Sequence, residues 1–207
     1  MAQISRMGYG QVELNFVSAG RIGGVYASRP YKGDKKILEQ GMFLKYDPVE
    51  NTCNTTGEGE WYMVYNEEEH YDEREMNHKD YAMKESDFIE GKMYPRLLKI
   101  STGDIFTTNT FGAYKADYAE ATYPGNYGDV KNANTTLKMA KVTTVTGVKG
   151  GSVGIDLNQK DKVTVGADGY LVKASDDEAA SASPVFVVSR VYCMADGQPA
   201  VKLQRIK

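Results

Sequence analysis

Apolar residues in this chain fall in short runs parted by glycine-, asparagine- and aspartate-rich turns, a spacing that predicts strands rather than helices. Ile37-Leu38, Met42-Phe43-Leu44 and Trp61-Tyr62-Met63-Val64-Tyr65 read as strands, separated by Asp47-Pro48 and by the polar stretch from Asn51 to Gly59, which reads as a loop. Leu97-Leu98-Lys99-Ile100 and Ile105-Phe106-Thr107-Thr108 flank Ser101-Thr102-Gly103-Asp104 as a hairpin or tight corner. Toward the C-terminus, strands are predicted at 142–146, 153–157, 163–165, 170–172, 185–188 and 201–206, with the even spacing of a small barrel or sandwich. One strand-turn-strand pattern occurs twice, at 32–45 and at 160–173: a charged start, an apolar run, a glycine turn and a second apolar run.

Between these blocks the pattern weakens. Asn66 to Lys84 is the one candidate helix, but Tyr71, Met76 and Tyr81 make no wide apolar stripe, so it reads as a helix or an irregular acidic excursion. Ala113 to Asn134 reads as a long surface loop. Residues 1–30 carry glycines at 8, 10, 20, 23 and 24 and only a brief alternation at Val12, Leu14 and Phe16. Such a segment loses much entropy on ordering and buries little, so it reads as an extended arm, docked on a neighbouring subunit or folded back as a strand on its own sheet. The expected architecture is mainly β: an N-terminal arm (1–30), a small β lobe with the acidic excursion (31–92) and a C-terminal β-barrel-like or sandwich-like domain (93–207).

Composition narrows the function classes. A chain of 207 residues can bury a substantial core without staples. The net charge of -3 and pI near 5.5 argue against nucleic acid as a partner, since phosphate binders usually present a basic face. Cys53 and Cys193 fit no metal-knuckle spacing and read as two reduced thiols of a protein matured in a cytoplasm. Met1 to Arg6 lacks the apolar run of a secretion signal, and no segment approaches the roughly 20 apolar residues of a membrane helix, so a soluble protein with no membrane partner is expected.

Candidate chemistry is sparse. Glu67 with His70 and Glu75 with His78 stand three apart, which on a helix sets a carboxylate beside an imidazole; a di-iron site needs further helices that the sequence does not supply, so a solvated acidic face is expected. Both histidines lie in that charged stretch, which leaves no sheltered base for a nucleophilic triad. Gly147 to Ser152 lacks phosphate-loop spacing and reads as a hairpin turn, while Asp176-Asp177-Glu178 lacks calcium-loop order and reads as a polar loop. No catalytic residue, metal site or cofactor is expected. Tyrosine is the compositional anomaly, 15 against 6 phenylalanines and one tryptophan, with many in glycine-rich or loop segments, Tyr31 among them. Its large area and polar tip suit protein interfaces. The expected partner-binding residues are Tyr9, Phe16, Tyr26, Tyr114, Tyr118, Tyr123 and Tyr127.

Asp80-Tyr81-Ala82-Met83, then Tyr94 to Asn109 with its Gly103-Asp104-Ile105-Phe106, then Phe186-Val187-Val188-Ser189-Arg190-Val191-Tyr192, together resemble small structural proteins of tailed bacteriophages encoded beside the major capsid protein. That resemblance implies a C-terminal β-barrel and a non-enzymatic component of the virion head, a capsid decoration or cement protein made in the host bacterial cytoplasm. The implied partner is the major capsid protein, met as a homo-oligomer or as lattice-bound copies. The alternatives are another virion part, such as a head-tail connector or fibre base, a carbohydrate- or ligand-binding β module, which clustered surface tryptophans would favour although only Trp61 is present, and a metal hydrolase, which a bound metal or a deep pocket lined by His70 and His78 would support.

Overall fold

The structure, a computed structural model, describes residues 10–26, 29–35, 37–66, 82–84, 94–111, 157, 159–193 and 199–207. It is mainly β, with short helices at α1 (Ala19–Ile22) and α2 (Asp176–Ser181). Among the described residues, three antiparallel sheets account for the strands. The largest has six, in the order β1 (Val12–Phe16), β9 (Ile105–Thr108), β13 (Pro199–Arg205), β12 (Val185–Cys193), β10 (Lys162–Val165) and β11 (Leu171–Ala174). A second, of five, runs β2 (Val25–Tyr26), β8 (Leu97–Leu98), β6 (Glu60–Val64), β4 (Phe43–Asp47) and β5 (Thr52–Asn54). The third pairs β3 (Ile37–Glu39) with β7 (Ala82–Lys84).

Side-chain alternation explains the layering. On β4, Phe43 enters the main core and Leu44 the second; on β6, Met63 goes one way and Tyr62 and Val64 the other; on β8, Leu98 and Leu97 divide likewise. The five-stranded sheet is therefore covered on both faces, which is why its strands read as continuous apolar runs. On the six-stranded sheet, Phe186 and Val188 of β12 and Val201 and Leu203 of β13 face the core, while Lys202 and Gln204 alternate away from it. Phe43 is the wedge between the two sheets, its ring 5.6 Å from Phe186 and 6.5 Å from Phe106. Phe106 and Phe186 meet edge-on at 5.4 Å. Leu38 and Met83, paired across β3 and β7, close the second core against Leu44, Val64 and Leu97.

Several expectations change. Among the described residues the six-stranded sheet ends at β1 on one side and β11 on the other, so the described sheets are open and pack as a sandwich rather than close as a barrel. Each large sheet draws strands from both sides of position 92, and one core spans Ala19 to Leu203. Within the expected arm, residues 12–16 and 25–26 are strands on the protein's own sheets, the second of the two arrangements an arm allowed. The twin patterns also diverge. The second is a β10–β11 hairpin turning at Gly169 (φ +84), whereas in the first the chain turns at Gly41 (φ +81) and passes from the β3–β7 layer into the five-stranded sheet. The two turns touch: the Phe43 amide donates to the Gly169 carbonyl at 2.7 Å.

Ala82–Lys84, placed at the end of the expected helix, is a strand, because Met83 gains a fully buried position opposite Leu38 that a lone acidic helix could not give it. The rest of that helix, 67–81, lies outside the described residues, as do the loop 113–134, the strand 142–146 and residues 147–152. Of the strand expected at 153–157, only Leu157 is described, and it is buried in the main core. The loop 51–59 contains β5, whose Cys53 is buried. Asp176 to Glu178 form the first turn of α2 rather than a loop. Ser175 caps that helix by accepting from the Glu178 amide at 3.2 Å, and the Glu178 carboxylate accepts from the Ser175 amide at 2.8 Å.

Candidate functional site

Residues 10–26 form one edge of both large sheets, and two polar networks hold them there. In the first, the Gln11 amide donates to Asn109 Oδ1 at 2.8 Å, and the Thr108 hydroxyl donates to the Gln11 carbonyl at 2.7 Å. The Thr110 hydroxyl donates to the Gln40 carbonyl at 2.6 Å, which ties the same seam to the Gly41 corner. Thr107, Thr108, Asn109 and Thr110 are all fully buried. Threonine suits this place because its hydroxyl satisfies backbone carbonyls at a sheet margin while its methyl packs.

The second network is built on Asp104, which is 2% exposed. Its carboxylate accepts from the Ser18 amide and hydroxyl, both at 3.1 Å, and from the Ser101 amide at 2.7 Å. Its carbonyl accepts from the Arg205 amide at 3.0 Å, and the Arg205 guanidinium donates to the Ile100 carbonyl. The Gly-Asp corner thus joins the N-terminal segment, the β8–β9 turn and the C-terminal strand.

Held this way, the segment presents apolar side chains to solvent. Phe16 is 56% exposed and Leu14 38%, the one aromatic and the one leucine among the large exposed hydrophobics described. The Arg21 guanidinium lies 5.3 Å from the centre of the Phe16 ring, a cation-π distance. Beside Phe16 opens a groove of about 550 Å³, walled by Val17, Val25, Tyr65 and Leu98 together with Arg21 and Arg96. A register shift between Leu14 and Phe16 breaks the ladder with β9 at this point.

Of the expected partner-binding residues, Phe16 lies in this surface, and Tyr26 falls on β2, the edge strand of the five-stranded sheet. Tyr9, Tyr114, Tyr118, Tyr123 and Tyr127 lie outside the described residues, together with His70, His78 and the acidic run 67–75. Tyr46, Tyr62 and Tyr31 have packing roles. Tyr46 and Tyr62 meet edge-on at 5.9 Å, and the Tyr31 hydroxyl accepts from the Lys35 amide at 3.0 Å. Burial pushes the Tyr31 hydroxyl up to about 12. Sequence reasoning missed Arg21 and Leu14 as surface groups and Asp104 as the pin beneath them.

Cys53, Asp176 and Glu178 are structural. Burial pushes the Cys53 thiol up to about 12, and it lies 3.6 Å from the Arg29 and Pro30 carbonyls, so it is a packed thiol rather than a nucleophile. The Lys162 ammonium at 2.8 Å holds the Asp176 carboxyl below the usual carboxylate range, and hydrogen bonds from the Ser175 amide and hydroxyl do the same for Glu178. Among the described residues no group of three or more histidine, cysteine, aspartate or glutamate side chains could hold a metal ion. What the N-terminal edge offers is apolar contact, backbone hydrogen bonding and positive charge. No family model, curated protein or solved structure matches this chain.

Proposed function

We propose that this is a non-enzymatic structural protein that docks on a protein lattice through the edge formed by residues 12–26. The observation that carries this reading is a solvent-exposed Leu14 and Phe16 on an edge strand that two buried polar networks hold rigid. A large aromatic left more than half exposed on a fixed strand is surface ready for a partner, because no ordering cost remains at that strand when it binds. The resemblance around Gly103-Asp104-Ile105-Phe106 supports the narrower reading. On it, the lattice is the major capsid protein of a tailed-phage head, and the chain is a decoration protein whose repeated weak contacts add up by multivalency.

The test is co-sedimentation of the purified chain with capsid shells of the phage that encodes it, with mass spectrometry of purified virions alongside. Saturable association is expected, lost in the Leu14→Ser/Phe16→Ser double variant while its melting temperature stays within a few degrees of the parent. Absence of the chain from virions and from shells would overturn the capsid reading.

A further inference from the structure

We propose that β1 accepts an extended partner segment carrying both acidic and apolar side chains as an added strand, with an apolar side chain in the groove beside Phe16 and a carboxylate at Arg21. The inference rests on the docking role assigned to this edge and specifies its ligand. Backbone direction comes first. The Gln11 carbonyl accepts from the Asn109 amide at 3.4 Å, so Gln11 and, two residues on, Glu13 turn their backbone groups toward β9. In an antiparallel ladder the alternate residues, Val12 and Leu14, then turn their N–H and C=O groups to the side away from β9.

The opposite edges differ. Leu171 of β11 makes a parallel bridge with Phe111, and Cys53 of β5 makes one with Tyr31, so each of those strands has a further neighbour. Among the described residues β1 has none beyond β9, and β2, with two residues, is too short to template a strand. The register shift after Leu14 confines an added ladder to the first part of β1. Beyond it Phe16 stands at the groove, where a side chain of the incoming strand can insert.

The groove sets the side-chain chemistry. Its volume of about 550 Å³ has room for large apolar side chains, and Phe16, Val17, Val25 and Leu98 supply apolar wall. Both charged residues in the lining are arginines, in a chain whose net charge is -3. Arg21, beside the Phe16 ring, therefore favours a carboxylate over a basic group at this point of the groove. Arg21 is the principal contact because its guanidinium already lies over the ring that an apolar side chain would cover.

The experiment uses the full chain and fluorescein-labelled, end-blocked hexapeptides alternating leucine and glutamate, read by fluorescence anisotropy. Saturable binding is expected, at least tenfold weaker for the lysine-for-glutamate peptide and for Arg21→Glu, whose melting curve should match the parent. Of two peptides N-methylated on alternate sets of backbone nitrogens, one should bind as the parent does and the other lose binding, since one set alone faces β1. Equal binding of the glutamate and lysine peptides, retention of binding by both N-methylated forms, or no binding up to about 1 mM would each overturn the proposal. A β1-dependent dimer that the glutamate peptide cannot dissociate would overturn it in favour of a second copy of this chain. Loss of shell association in the Leu14→Ser/Phe16→Ser variant without any peptide binding would sink this ligand and leave the docking role standing; peptide binding without shell association would do the reverse.

Discussion

Asp104, Cys53 and Tyr31 show how side-chain chemistry is used for position rather than reaction. Asp104 gathers three donors, two from distant Ser18 and one from Ser101 in its own turn, in a nearly water-free site. Removing the carboxylate strands the Ser18 and Ser101 amides, and an unsatisfied buried donor costs about 1–3 kcal/mol. Asp104→Ala is therefore expected to destabilise the chain by roughly 3 kcal/mol in urea titration, and Asp104→Asn, which keeps an acceptor, by about half of that. A loss below ~1 kcal/mol for the alanine variant would show the corner is held by other contacts. Cys53 and Tyr31 make a prediction about pH. Burial raises them from ordinary values of 9.0 and 10.0 to about 12, so on alkalinisation the unfolded chain releases these protons before the folded one. Their contribution is complete below pH 9 and lost as pH rises toward 12. Denaturation midpoints should fall across that window, with a shallower fall in Cys53→Ala and Tyr31→Phe; an unchanged slope in both would count against burial as the cause.

At the level of elements, the corners decide how strands reach their sheets. Gly41 has φ +81, and a methyl there would lie 2.6 Å from Val12 Cγ2 and 2.8 Å from the hydroxyls of Thr108 and Thr110. Gly103 has φ +92 but open space around it. Gly103→Ala should cost about 1–2 kcal/mol from the backbone alone, and Gly41→Ala at least ~2 kcal/mol more, because the clash falls on the seam that holds β1. Equal losses in urea titration would mean that the seam yields freely. The same corners mark what the sequence made legible. β4, β6, β9, β10, β12 and β13 coincide with apolar runs because those runs supply strand pattern and buried area together. β1, β5 and β7 were weak or missing because their stability is supplied from afar: Val12 lies opposite Thr108, Cys53 beside Tyr31, and Met83 opposite Leu38. Ser175 and Glu178 did carry a readable capping box, hidden among acids that looked like a loop. Phe16 could be named from its type. Arg21 and Leu14 could not, since an exposed edge differs from a central strand only once β9 is known to lie on one side.

For the whole molecule, the N-terminal segment joins the two sheets into one folding unit. β1 is hydrogen-bonded into the six-stranded sheet and β2 into the five-stranded one, and Ala19, on the helix between them, is fully buried in the core the sheets share. Removing residues 1–26 would expose the flank of β9, open the core at Ala19 and leave Asp104 buried without its Ser18 donors. These losses fall on one contiguous core, so they should not be absorbed by one lobe while the other stays intact. The truncated chain is expected to lose its cooperative urea transition, or to show it at a midpoint far below the parent. Substituting the outward side chains alone, in Leu14→Ser/Phe16→Ser, removes little buried area and should leave the transition within about 1 kcal/mol. The contrast separates the two duties of the segment, holding the sheets together with its inner groups and meeting a partner with its outer ones. Parent-like cooperative unfolding of the truncated chain would show that the sheets stand without it and that residues 12–26 serve the surface alone.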